Sequence, residues 1–266
     1  ASYRSKSWCV SRQAIERRAK NDIAVTDADF PISRSYIAML SETGATPVVQ
    51  SKWFATVVVE SPDSTVAEQL QQLAIVDSVK WIWKGNLRVP AEEKREDRFV
   101  SEDEPLHNEY GYSYKQIKML NGTKLHEAGF RGEGMRVAVI DAGFMNADRV
   151  SAFDSLRLLG THNVVFPGKS VFVGDDHGTK VLSCLAADIP GVMVGTAPKA
   201  SYLLLKSEDS DSEYPVEEDY WTAAVEYADS AGVDVISSSL GYFAFDTDEL
   251  SYDQDALDGR TAMISR

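Results

Sequence analysis

The sequence predicts an α/β protein, a doubly wound parallel sheet preceded by a small α+β domain. Three observations predict it. From Met135 onward, short and almost continuously apolar runs alternate with helical patterns, as in a parallel sheet covered on both faces. Before residue 89, helix and strand patterns alternate on a smaller scale. Between the two, residues 91–105 carry seven acidic and three basic side chains and few apolar ones, too little apolar surface to fold alone. The expected organisation is an α+β domain over 1–88, a charged linker over 89–111 and an α/β domain over 112–266. Taken by itself the charge run is equally compatible with a solvated helix face, and its position between two patterned regions favours the linker.

The elements follow in order. SRQAIERRAKN and SRSYIAMLSETG read as helices, the second with Ser33 as its cap and Gly44 as its stop. FATVVVES is strand material, SPDSTVAEQLQQL restarts a helix with Asp63 or Ser64 near its cap, and Val79, Trp81 and Trp83 alternate as in a further strand. Beyond the linker, KQIKMLNGTKLHEAGF reads as a short helix ending at Gly129. Then come strand MRVAVID, strand candidate NVVFPG, helix GTKVLSCLAAD, strand ASYLLLKS, helix EEDYWTAAVEYADSAG and strand VDVISSSLG. Trp221, Ala224, Val225 and Ala228 fall on one face of the second of these helices.

Bulk properties narrow the function classes. With 266 residues and 44% apolar side chains the chain can build real cores. A formal net charge of -14 argues against a nucleic-acid partner, which needs a basic patch to neutralise phosphates. No run of 18 apolar residues predicts a membrane span, and no signal-like segment opens the sequence. Cys9 and Cys184 are too few for a disulfide-stapled fold, and Cys184, in the pattern Val181, Leu182, Leu185, is expected to pack as a small buried hydrophobe.

Three segments carry candidate chemistry. In Val137-Ala138-Val139-Ile140-Asp141-Ala142-Gly143 a carboxylate follows a buried run, at the carboxyl edge where open α/β sheets form their sites, and Gly143 lets the chain turn away sharply. Alone, Asp141 also reads as a strand-ending turn cap. Asp175-Asp176-His177-Gly178-Thr179 places His177 at a helix start, where a histidine also serves as a plain cap or surface residue. With no second ligand at i+4, a zinc site is not expected. Ile236-Ser237-Ser238-Ser239-Leu240-Gly241 ends a strand in a small, flexible segment whose backbone is suited to pairing with an extended peptide, or simply ends the strand. His107, His126 and His162 have no comparable setting. Neither G-x-G-x-x-G nor a P-loop occurs, which excludes the usual nucleotide-binding reading.

Together these segments resemble the subtilisin-like serine proteases, the subtilases of peptidase family S8. V-A-V-I-D-A-G is similar to the family's aspartate motif and D-H-G-T-K-V to its histidine motif. G-T-A-P-K-A at 195–200 and V-D-V-I-S-S-S-L-G-Y at 233–242 are similar to the Gly-x-Ala-Pro segment and to the strand lining the substrate cleft. The order Asp then His is that of subtilisin. This resemblance covers 112–266; more loosely, A-I-E-R-R-A and the elements after it resemble the propeptides of Bacteroidetes-type subtilases. One departure is His-Gly-Thr-Lys where many relatives have His-Gly-Thr-His. Another is that neither Gly-Thr-Ser-x-x-x-Pro nor Ala-Gly-Asn occurs, and TAMISR falls within what the family pattern makes a helix.

The resemblance implies a serine endopeptidase in which Asp141 orients His177, His177 serves a serine beyond these residues as base, and Ser239, Leu240 and Gly241 hold the substrate backbone. It implies protein or peptide substrates and the chain's own propeptide as partners, the latter as inhibitor and folding aid. Processing is expected near Asn108 to Gly111, and the location is secreted or periplasmic. No cofactor is required; structural calcium occurs in the family, but no acidic cluster is assigned to it. Residues 1–266 alone are expected to be inactive. The alternative is a noncatalytic α/β binding module that keeps the sheet without the chemistry.

Overall fold

The computed structural model describes residues 9–83, 85 and 108–266; of the linker expected over 89–111, residues 89–107 lie outside the described residues. In chain order the helices and strands are α1 (Arg12–Lys20), α2 (Arg34–Glu42), β1 (Thr46–Ser51), β2 (Thr56–Glu60), α3 (Val66–Gln71), α4 (Tyr114–Met119), α5 (Gly122–Glu127), β3 (Arg136–Asp141), β4 (Arg157–Asn163), α6 (His177–Ala186), β5 (Asp188–Ile189), β6 (Met193–Val194), β7 (Ser201–Lys206), α7 (Val216–Ala231) and β8 (Val235–Ser238). They form two compact units. One joins the described N-terminal residues to Asp211–Gly232 and Gly241–Arg266, and the other runs from residue 108 to Ser210 and includes Val233–Leu240.

In the first unit β1 and β2 form an antiparallel hairpin. Leu40 of α2, Ala45, and Val66 and Leu70 of α3 make its core, with Val57 and Val59 of β2 packed against them. Helix α2 ends where sequence places its stop, at Gly44 with φ +89°, but Ser33 does not cap with its side chain: its hydroxyl pairs with that of Ser35 at 2.7 Å. Val79 to Trp83 join no sheet, and the alternation there does not mark a buried face, since Trp81 is exposed while Val79 and Trp83 are half-buried.

Helix α7 belongs to this unit. Its Glu226 accepts hydrogen bonds from the Ser51 hydroxyl at 2.6 Å and from the backbone N–H groups of Lys52 and Trp53, each at 3.0 Å, and so caps the hairpin turn. Three residues further along α7, Asp229 pairs with Arg17 and Arg18 of α1, and Arg18 also grips Asp29 through two bonds of 2.7 Å. Gly232 is required there twice over. Its φ of +80° is the left-handed helix cap, and a Cβ would lie 2.4 Å from the Ala14 nitrogen. The last residues form only 3-10 turns, Gln254–Ala256 and Met263–Ser265, not the expected helix.

The second unit is built on a four-stranded parallel sheet in the order β4-β7-β3-β8. The chain visits β3, passes beyond it to β4, returns through β7, and then crosses to β8 on the other side of β3. The carboxyl end of β3 is therefore at the reversal of strand order, where α/β sheets open a crevice. All but the first residue of β3 and of β7 are buried, which accounts for their unbroken apolar runs. Val137, Val139, Tyr202 and Leu204 pack with Phe144, Phe153, and Leu182 and Ala186 of α6. Strand β8 departs from the expected burial, with Val235 and Ile236 49% and 38% exposed, because it is an edge strand bonded to β3 alone among the described residues.

Three further expectations are corrected here. The strand expected at NVVFPG is Arg157–Asn163, and Val164 and Val165 are buried beyond its end. The expected single helix over KQIKMLNGTKLHEAGF is broken into α4 and α5 by Asn121 at φ +57°. Cys184 is exposed: α6 buries Gly178, Leu182 and Ala186, four residues apart, and Cys184 sits two positions off that stripe.

Candidate active site

Asp141 is the last residue of β3 and has no solvent exposure. Its Oδ1 accepts the Ala142 backbone N–H at 2.8 Å and faces His177 Nδ1 at 2.7 Å. Its Oδ2 is buried with no protein partner among the described residues. Burial therefore dominates and holds the carboxyl above its usual range, although the bonds to His177 and Ala142 pull the other way. His177 opens α6 with its side chain 50% exposed, and the bond to Asp141 raises its imidazole above the ordinary value. With Nδ1 committed to the carboxylate, Nε2 is the ring nitrogen left for proton transfer.

The glycines explain how two segments 36 residues apart come so close. A Cβ on Gly178 would lie 2.4 Å from the Gly143 carbonyl oxygen and 2.9 Å from the Asp141 Cβ. A Cβ on Gly143 would lie 2.8 Å from the Asp175 carbonyl oxygen. Gly143 thus serves close approach, not the sharp turn expected of it; the left-handed turn falls at Asn146, φ +62°. Thr179 completes the lock, its hydroxyl donating to the Met145 carbonyl at 2.8 Å. Gly178, Thr179 and Asp175 were not singled out for roles by sequence reasoning, yet all flank His177, and an Asp-x-Gly segment meeting a His-Gly-Thr segment is the signal that would have found them.

Of the other candidates, Ser239 comes directly after Ser238, which pairs with Ile140, the residue before Asp141. Ser239 and Gly241 are exposed and Leu240 half-buried, continuing the chain from β8; a Cβ on Gly241 would meet nothing within 4 Å. His126 is a packing residue, stacked on Tyr110 at 5.6 Å with Nε2 at 2.9 Å from the Thr196 carbonyl oxygen. His162, on β4, is lowered by burial. No helix among the described residues is long and apolar enough to cross a membrane.

Comparison with known proteins shows what the chain is similar to. The peptidase S8 propeptide domain of Bacteroidota matches residues 1–98. Subtilisin E of Bacillus subtilis is 32% identical over 147 residues, 54% of this chain and 36% of that protein. The major intracellular serine protease of the same species is 31% identical over 133 residues, 47% of this chain and 40% of that protein. The chain thus spans about two fifths of the length of these relatives. Among solved structures, fervidolysin from Fervidobacterium pennivorans, described as a keratinolytic enzyme related to subtilisin, superimposes with a TM-score of 0.51 at 15% identity. That match covers 81% of this chain and 35% of that one, and bears on the fold alone. The chain is thus similar to the subtilisin-like S8 proteases, and its residues 1–98 match the propeptide domain of the Bacteroidota members.

Proposed function

We propose that the complete protein is a serine endopeptidase working by an Asp-His-Ser triad, of which this chain holds Asp141 and His177. The observation that carries the reading is the 2.7 Å bond between a wholly buried carboxylate and the Nδ1 of a half-exposed imidazole at the carboxyl edge of a parallel sheet. In this reading a serine beyond residue 266 attacks the peptide carbonyl while His177 Nε2 takes its proton and later passes it to the leaving amine. Asp141 fixes the tautomer and stabilises the imidazolium. Ser239, Leu240 and Gly241, exposed or half-buried beside an edge strand, hold the substrate backbone as an added strand. This chemistry needs no cofactor, and structural calcium is left without an assigned site.

The same proposal makes residues 1–88 the propeptide and 112–266 the first part of the catalytic domain. Processing falls at the upstream edge of Asn108–Gly111, because Tyr110 is buried and Tyr112 N–H is bonded to the Val192 carbonyl at 2.8 Å. Protein or peptide substrates and the propeptide itself are its partners. A secreted or periplasmic location belongs to the proposal too, and since one relative is named as intracellular, cell fractionation decides it.

The test uses the gene product extended past residue 266 beside the 266-residue chain. The extended protein hydrolyses a peptide substrate and takes up a fluorophosphonate probe, both lost in His177→Ala, and the 266-residue chain takes up none. An extended protein with no reactive serine would instead be the noncatalytic binding module, and stoichiometric labelling of the 266-residue chain would defeat the proposed inactivity.

A further inference from the structure

A second carboxylate stands at His177. Asp175 Oδ1 accepts the His177 backbone N–H at 2.6 Å. The Asp175 carbonyl oxygen accepts the Met145 N–H at 2.8 Å, and its backbone sits so close to Gly143 that no side chain fits between them. One residue therefore holds the histidine with its side chain and the loop after Asp141 with its backbone. The bound Nδ1 fixes one side of the ring, and the bound amide fixes where the ring begins.

We propose that Asp175 is a positioning residue for His177, tying the histidine's backbone to the loop that follows Asp141 and supplying the site with a second negative charge. The proposal rests on the triad reading for its catalytic meaning but not for its geometry. The charged groups facing the ring are Asp141, Asp175 and Lys180. Asp141 and Asp175 favour the imidazolium and Lys180 opposes it, while Lys180 is itself held by Asp176 at 2.7 Å. An exposed ring feels a neighbouring charge only through screened solvent, so the contribution of Asp175 is moderate and falls with salt. Its consequence is a base that stays protonated to higher pH than Asp141 alone would make it, narrowing the acid side of the working range.

The test is an NMR titration of the His177 ring in the 266-residue chain, with its resonance assigned by His177→Gln. Asp175→Asn keeps an acceptor for the N–H and removes the charge. It is expected to lower the His177 midpoint by a few tenths of a pH unit at low salt, the difference from wild type shrinking as salt is added. Asp175→Glu, which keeps the charge, restores most of the shift, and Asp175→Ala also speeds hydrogen exchange of the His177 amide. If Asp175→Asn does not fold, Asp175→Ser offers a neutral acceptor for the same measurement. A midpoint unchanged in the neutral variants while Asp141→Asn lowers it would overturn the role of Asp175 and leave the Asp141–His177 pair standing. A midpoint that responds to neither would remove both.

Discussion

Each of the two units buries a carboxylate, and to opposite effect. In the N-terminal unit Asp29 is buried, which pushes its carboxyl up, but two bonds from Arg18 and one from the Thr26 N–H outweigh burial and hold it below the usual range. At the end of β3, Asp141 is buried more completely, receives two bonds on one oxygen and none from protein on the other, and is held above its usual range. Asp29 is satisfied on every side and does structural service. Asp141 has been taken out of water, and its one ionisable partner is half in solvent and held above the ordinary imidazole value by their bond. A buried carboxylate is a functional candidate when its pairing is incomplete and its partner is free to exchange a proton.

The largest effect separating the two is on catalysis. In the extended enzyme Asp141→Ala is expected to lower kcat on the order of 10⁴-fold, because His177 loses both its tautomer and the charge that stabilises its imidazolium. Substrate KM should change little. The kcat/KM of the parent enzyme should fall as pH drops through a midpoint above the ordinary imidazole value, since only neutral His177 accepts a proton. Asp141→Asn should move that midpoint down; a midpoint that stays fixed would mean that the carboxylate does not set it.

The next effect is on stability and leaves His177 untouched. Arg18→Met strands the Asp29 carboxylate in the interior, a loss of about 3–5 kcal/mol at neutral pH. The sign with pH follows from the depressed native value of Asp29. Its contribution is present above the ordinary carboxylate value and is lost as pH falls through the native one, so the gap between parent and variant narrows in acid. Urea unfolding of the 266-residue chain at neutral and acid pH reads this directly, and an equal gap at both would show that Asp29 is not the group responsible. Replacing Arg18, Asp29 and Asp229 together with apolar residues should recover most of the loss.

What sequence could show divides along the same line. The apolar runs of β3 and β7 are legible because both faces of those strands are buried, and Asp141 and His177 are legible because each stands at the end of a patterned element. The break at Asn121 was not, since Asn-Gly within a helical pattern only permits a left-handed residue and tertiary packing decides whether it is used. Nor was the exposure of Cys184, where an apolar neighbourhood in sequence was mistaken for an apolar face. The role of Asp175 was hidden for a different reason: a side chain that bonds the amide two residues on looks like any turn aspartate until the ring beyond it has a function. Glu226 was hidden because its partners, Ser51 to Trp53, lie more than 170 residues away.

The smallest expected effect lies at Glu226 and tests whether a charge can be structural without an opposite charge beside it. Its carboxylate gathers the Ser51 hydroxyl and two backbone N–H groups at the turn between β1 and β2, a cap built from dipoles alone. Hydrogen bonds to a charged acceptor are stronger than neutral ones, but Lys52 is only half-buried and Trp53 is exposed, so water replaces part of what is lost. Glu226→Ala is therefore expected to cost about 2 kcal/mol, less than Arg18→Met, because it strands dipoles and no charge. Glu226→Gln keeps the acceptor oxygen and should fall between parent and Ala. Hydrogen exchange at the Lys52 and Trp53 amides measures the local part, with faster exchange expected there first and protection of β3 and β7 unchanged. If those two amides exchange no faster in Glu226→Ala, the turn is held by the hairpin itself, and Glu226 is not its cap.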